Sequence, residues 1–440
     1  MSRFGFAFLV GCACLTTSMT GCSDAWNAGP MQYVENETLT NDVKGKANLY
    51  GKPELQGKVK KALASLFGDS PQHIKVPEGS GLPAGGLYLG NYVQEGEGPD
   101  AKLYPIYEDS TASEPLKVSD ADLSLARPQE GGYAIYRKNC LHCHGVSGAG
   151  DGPTSSFLYP LPRDYRKGIF KFTSTPSGAK PHRDDLRRTI KNGLHGTSMP
   201  AFDALLTGPE IEQAIDYVMF LSIRGETELA LIEEASISDE KDPNALSDEI
   251  AREAANGIYN KWKLAQTQVL NPPTHRTPST RESVLRGRDL FLGRTSEKLE
   301  CAGCHGPLAL GNGPSFVSQD VFNEVIFGGN PSERRLRIEK LDEKTKTLWN
   351  QKPDDWGNAV QPANLNRGVY KGGRRPIDIF WRVAKGINGA QMPAHYPSPL
   401  NDQKVWDVVN FVLALPYEPE LLENAGTRPA GTAVASRAPE

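Results

Sequence analysis

The chain has 440 residues, enough for two or three domains of ordinary size, and a formal net charge of -4 from 49 Lys plus Arg against 53 Asp plus Glu. A pI near 6.1 leaves no global basic field, which argues against nucleic acid as a partner. Mean hydropathy of -0.46, with 44 Gly and 33 Pro, describes a soluble chain with long loops around small helical cores.

Arg3 and the apolar run over residues 4–15 read as an export signal too short to span a bilayer. Met19-Thr20-Gly21-Cys22 resembles the lipobox of bacterial lipoproteins. That resemblance implies a signal peptide over 1–21, lipidation of Cys22 and a periplasmic protein anchored to a membrane through acyl chains. An ordinary signal peptide with an incidental cysteine is the competing reading. Residues 22–125 form a loop-rich extension with one amphipathic helix marked by Leu55, Val59, Leu63, Leu66 and Phe67. It is either a spacer from the membrane or a strap against the following domain.

The seven cysteines are unevenly placed. Cys12 and Cys14 fall in the signal, and the last four form two close pairs. Cys140-Leu141-His142-Cys143-His144 and Cys301-Ala302-Gly303-Cys304-His305 are both C-x-x-C-H. Two thiols at that spacing can form thioethers to both vinyl groups on one porphyrin edge, and the next residue then lies under the ring, where imidazole can bind iron. Cys140, Cys143, Cys301 and Cys304 are therefore expected to attach two haem c groups, with His144 and His305 as iron ligands. A four-cysteine zinc site would join distant pairs and leave both histidines idle. A thioredoxin-type pair would need a βαβ context, which the glycine-rich sequence after each motif does not offer.

The sixth ligand is expected to be Met199 in the first half and Met392 in the second, each downstream of a motif and followed by Pro-Ala. Met219 lies in a helical apolar pattern and reads as core, and Met31 has no clear role. His195 and His395, close to the two methionines, are the competing ligands; His142 is expected to be exposed.

The halves repeat. Gly145, Gly150, Gly152 and Pro153 match Gly306, Gly311, Gly313 and Pro314, residues 162–171 parallel 362–371, and Gly193 and Gly196 before Met199 match Gly386 and Gly389 before Met392. Each half closes with an amphipathic helix, through Ile211, Ala214, Ile215, Val218 and Leu221 or Val405, Val408, Val409, Val412 and Leu415. On these motifs the chain resembles the class I cytochromes c. The implied fold is mainly α, with cytochrome c domains at 126–226 and 281–418, an acidic, partly helical linker at 227–280, and a disordered tail at 419–440. The stretch between the matched blocks is 8 residues from Thr154 to Pro162 and 47 from Ser315 to Pro362, so the second domain carries an insertion of 39 residues at about 316–361. Its charged run 332–346 reads as a solvated helix or lid. Arg163, Tyr165, Arg166 and Lys171 are candidate propionate partners or a solvated basic surface; Arg183, Arg187, Arg188 and Lys191 are a solvated surface or a docking face.

Two His/Met haems leave no open iron position, so the expected role is electron relay between respiratory partners. The resemblance implies a quinol-oxidising complex, a terminal oxidase or a small cytochrome as partners. The alternative is a dihaem oxidoreductase of peroxidase or thiosulfate-dehydrogenase type with one displaceable ligand.

Overall fold

The computed structural model describes residues 31–71, 74–77, 79–80, 82, 92–95, 102–105, 116–117, 131–242, 244–327 and 331–423. The signal segment and Cys22 lie outside these residues, as does the chain beyond 423. The described chain is mainly helical, as expected, with one small sheet. Strands β1 (Tyr92–Glu95), β2 (Lys102–Pro105) and β3 (Leu116–Lys117) form an antiparallel ladder in that order, Tyr92 opposite Pro105 and Lys102 opposite Lys117. Segments of four and two residues are too short to show alternation, so the sequence pattern did not reveal them. No described helix is long and apolar enough to cross a membrane.

The extension is a strap on the first domain. After a single turn, α1 (Glu37–Thr40), helix α2 (Pro53–Phe67) starts with proline in its first turn and buries Leu55, Val59, Ala62, Leu63 and Phe67. Phe67 meets Phe220 edge-on at 5.9 Å. The Val34 N–H donates to Ser147 Oγ at 2.6 Å and the Asn36 N–H to Glu228 at 2.9 Å, while the Arg224 guanidinium lies 3.9 Å from the centre of the Tyr33 ring.

In the first half, α3 (Gly132–Asn139) runs into the short α4 (Leu141–His144), followed by α5 (Arg183–Asn192) and α6 (Gly208–Ile237). Thr207 caps α6 in a capping box with Glu210. The pattern that marks α6 by Ile211 to Leu221 does not end at 226. The helix continues because Leu231, Ile232 and Ala235 supply a second buried face. Gly225 does not interrupt it; a Cβ there would strike the Arg166 backbone, so glycine permits a close approach. Helix α7 (Asp248–Ala265), capped by Ser247, is the helix expected in the linker, and it packs on α6 with Trp262 1% exposed.

The second half repeats the plan with α8 (Arg281–Phe291), α9 (Cys301–His305), α13 (Pro376–Lys385) and α14 (Asp402–Ala414), named around the three insertion helices below. Where α8 crosses α14, Gly287 faces the carbonyl of Asp407. Asp407 accepts from Ser283 Oγ at 2.5 Å and from Arg286 at 2.8 and 2.9 Å. The insertion folds as α10 (Gln319–Ile326), α11 (Pro331–Glu339) and α12 (Glu343–Gln351) around its own apolar cluster of Val317, Phe322, Val325, Ile326 and Trp349. The charged run expected as one helix or lid is thus the outer face of two helices. Residues 420–423 form α15 (Glu420–Glu423) with Leu421 and Leu422 buried. The tail expected to be disordered from 419 therefore begins ordered, because these leucines complete the core of the second domain.

Candidate functional site

Each C-x-x-C-H pentad is a tight helical turn closed by the glycine loop behind it. The Gly150 N–H donates to His144 O at 2.9 Å, Gly152 to Cys143 O at 3.2 Å and Thr154 to His142 O at 3.0 Å. The second half repeats these bonds from Gly311 to His305 O at 2.8 Å, Gly313 to Cys304 O at 3.0 Å and Ser315 to Gly303 O at 3.4 Å. Gly152 and Gly313 lie so close to the carbonyls of the pentads that neither has room for a Cβ. This steric demand, together with the φ of +75° at Gly145 and +79° at Gly306, explains the glycine density of the repeat.

The loop then returns beneath each histidine. His144 Nδ1 lies 3.1 Å from Arg163 O, and His305 Nδ1 lies 3.1 Å from Ala363 O. A carbonyl can only accept, so Nδ1 carries the proton and Nε2 keeps its lone pair. Burial pushes His144 down to about 4, the Arg163 cation adding to it, and burial lowers His305 as well. Both imidazoles are therefore neutral and oriented for metal binding. Tyr165 stacks on His144 with centroids 4.7 Å apart and an interplanar angle of 22°. Its own ring is buried, so Tyr165 is not part of a solvated basic surface. At the second site Leu365 occupies the matched position, and Phe291 lies 6.2 Å from His305. The identity of this second aromatic partner was not visible in the sequence.

Met199 and Met392 sit in equivalent loops. Leu194 N–H donates to Met199 O and Ile387 N–H to Met392 O, each at 3.1 Å. Gly193 and Gly386, with φ of +66° and +74°, leave no room for a Cβ against those same Met-Pro segments. Met199 and Cys140 pack on the core of the first domain, and Met392 and Cys301 on that of the second. Met219 is buried within α6, matching its reading as core. His142 and His195 are exposed. The backbone N–H of His395 is tied to the carbonyls of Val383 and Ala384 at 3.2 and 3.0 Å, and its ring is partly buried. None of Cys140, Cys143, Cys301 and Cys304 is in a disulfide, and the described residues contain no group of three or more His, Cys, Asp or Glu placed to hold a metal ion. Each half thus offers two free thiols, an imidazole with an open Nε2 and a thioether. That donor set fits haem c and does not fit a cysteine-ligated zinc.

The basic residues near the sites are mostly neutralised. Arg183 pairs with Glu212 and Asp216, Arg187 with Glu212 and Asp184, and Arg188 with Asp185. These three arginines form a partly solvent-exposed ion-pair network, so their charges are largely offset, while Lys191 of the same cluster is exposed. The halves also meet directly: Asn388 Oδ1, in the second methionine loop, accepts from the Gly178 N–H at 3.1 Å, Leu270 O accepts from Trp381 Nε1 of α13 at 2.7 Å, and the Leu270 N–H donates to Ser174 O at 2.8 Å.

Residues 127–218 match the family described as cytochrome c oxidase, cbb3-type, subunit III, and residues 284–416 match the cytochrome c family. A chain of the Kuenenia stuttgartiensis reducing HAO-like protein complex is 26% identical, over 64% of this chain and 94% of that one, with a TM-score of 0.42. No curated protein matches. Residues 127–218 and 284–416 are thus two cytochrome c family domains in tandem, each enclosing a C-x-x-C-H turn, as the resemblance in the sequence implied.

Proposed function

We propose that the chain carries two haem c groups, one per domain, and relays electrons between redox proteins at a membrane surface. The observation that supports this most directly is the duplicated donor set: in each domain a histidine has Nδ1 committed to a backbone carbonyl while a methionine loop packs on the same core. Cys140 and Cys143 would hold the first group and Cys301 and Cys304 the second, with His144 and Met199, and His305 and Met392, as axial ligands. Haem iron supplies the reversible one-electron couple when bound. The protein's residues orient the imidazoles, keep them neutral, and set the potential through ligand identity, burial and hydrogen bonding. Electron donors and acceptors of the kind a quinol-oxidising complex, terminal oxidase or small cytochrome provides fit this role. Lipidation at Cys22 would hold the protein to the membrane from the periplasmic side.

Pyridine haemochrome analysis should give two haems c per chain, and EPR of the oxidised protein should show two low-spin His/Met centres. Met199→Ala and Met392→Ala should each convert one centre to high spin and lower its potential. A high-spin centre in the unmodified protein would instead favour an oxidoreductase with a displaceable ligand. Cys22→Ser should move the protein from the membrane fraction to the soluble one; retention in the membrane would remove the lipid anchor.

A further inference from the structure

The junction between the domains is nearly two-fold. A Cβ on Gly196, in the first methionine loop, would lie 3.2 Å from Val369 of the second domain. A Cβ on Gly389, in the second methionine loop, would meet Trp356 at 2.5 Å and Ile169 of the first domain at 3.1 Å. Ile169 and Val369 are matched positions of the repeat, as are Phe172 and Gly372, which touch each other.

The insertion breaks this symmetry. Its last turn, residues 353–359, is closed by a bridge between Pro353 and Ala359 and reaches both domains. Toward the second methionine loop, the Asp355 N–H donates to Gly389 O at 3.2 Å and Gln391 Nε2 to Pro353 O at 2.6 Å. Toward the first domain, Lys171 pairs with Asp354 at 2.9 Å and Lys167 Nζ donates to Asp355 O. The Arg163 guanidinium lies over the Trp356 ring, 3.6 Å from its centre. The first domain has only eight residues at the equivalent place and cannot return the contact.

Arg163 is also the residue whose carbonyl accepts the hydrogen bond from His144 Nδ1–H; its counterpart in the second domain is Ala363. At the first site the residue whose carbonyl orients the histidine is itself a cation, whereas at the second it is an alanine, and the second domain holds that cation in place. An arginine guanidinium is charged at neutral pH.

We propose that the 353–359 turn of the second domain is a working part of the first haem site, in which Trp356 is a positioning residue. By holding Arg163 beside the His144 side of that site, it raises the reduction potential of the first haem relative to the second. The sign follows from charge. Ferric haem carries one more positive charge than ferrous, so a fixed cation in a poorly screened site favours the ferrous form. Without the Trp356 face, the guanidinium would turn to water, where its field is screened. The inference rests on the two-haem reading above, and haem counting tests that reading separately.

The test is spectroelectrochemical titration of the full-length holoprotein, resolved into two one-electron waves. The wave of the first haem is assigned by its large displacement in Met199→His. Trp356→Ala should lower the first wave by at least about threefold in ferrous/ferric ratio at fixed ambient potential, or about 28 mV at 59 mV per tenfold, and move the second, whose methionine loop Trp356 touches at Gly389, by less. Trp356→Phe, which keeps an aromatic face, should restore most of the shift. Arg163→Gln should reproduce it, and Trp356→Ala should add nothing in that background. No shift of the first wave in Arg163→Gln, equal shifts of both waves in Trp356→Ala, or an undiminished Trp356→Ala effect without Arg163 would each overturn the proposal. The Arg163→Gln result stands alone if Trp356→Ala does not fold.

Discussion

Replacing Gly152 or Gly313 with alanine tests the link between the glycine loop and the C-x-x-C-H turn. Neither residue has a left-handed φ, so the effect of an added methyl is steric alone. At Gly152 it would overlap the carbonyls of Leu141 and His142, and at Gly313 those of Gly303 and Cys304. These are backbone atoms inside a helical turn and cannot step aside as a side-chain tip would. The loop must lift instead, weakening three bonds in the first half: Gly150 to His144 O, Gly152 to Cys143 O and Thr154 to His142 O. At about 1 kcal/mol each, with about 1–3 kcal/mol for overpacking and partial retention of some bonds, the loss is about 3 kcal/mol. For a cooperative unit the size of the first half with its strap, that corresponds to a Tm lower by about 6–12 °C. Thermal unfolding of the holoprotein, followed at the Soret band, should show one of two transitions moving in Gly152→Ala and the other in Gly313→Ala. Haem content per chain should fall in both. Unchanged melting with full haem content would refute the idea that these glycines clamp the attachment turn.

Gly257→Ala should act in the opposite direction. Gly257 lies inside α7 with nothing within 4 Å of the added methyl, so the gain is helix propensity, about 0.5–1 kcal/mol; a lower urea midpoint would show that the site needs glycine for another reason. Lys385 provides a pH test. Its side chain is 4% exposed, Nζ has no hydrogen-bond partner among the described residues, and burial pushes its pKa from 10.5 down to about 8, the Asp185 carboxylate opposing part of the shift. Between about pH 8 and 10.5 the unfolded chain holds the extra proton, so stability should rise with pH across that window. Lys385→Met should be more stable by about 1–3 kcal/mol near neutral pH and lose the slope; a variant whose urea midpoint still climbed through that window would show the slope has another source.

The C-x-x-C-H turns and the two methionine loops were legible in the sequence because such patterns depend on short spacing. Thiols must span two vinyl groups, imidazole must follow the second thiol, and a loop around a methionine needs glycine at fixed offsets. Repetition made the signal stronger, since Gly152 and Gly313 meet the same steric demand twice. Helix α2 and the helix of the linker were visible for a similar reason, since a buried face over several turns leaves a periodic trace at Leu55, Val59 and Leu63.

What the tertiary structure alone decided concerns contacts between residues far apart in the chain. The extension became a strap through Tyr33 on Arg224 and Asn36 on Glu228, pairings with no local pattern. Helix α6 outran its expected end because α2 and α7 bury its second half. Tyr165 and Arg163 looked alike in sequence as members of a polar, basic loop, yet one stacks on His144 and the other lies on Trp356, more than 190 residues away. Sequence spacing reports what neighbours along the chain must do, and it set the chemistry of each site. The difference between the two sites comes from an insertion folding back across the domain junction, and only packing could determine where that insertion came to rest.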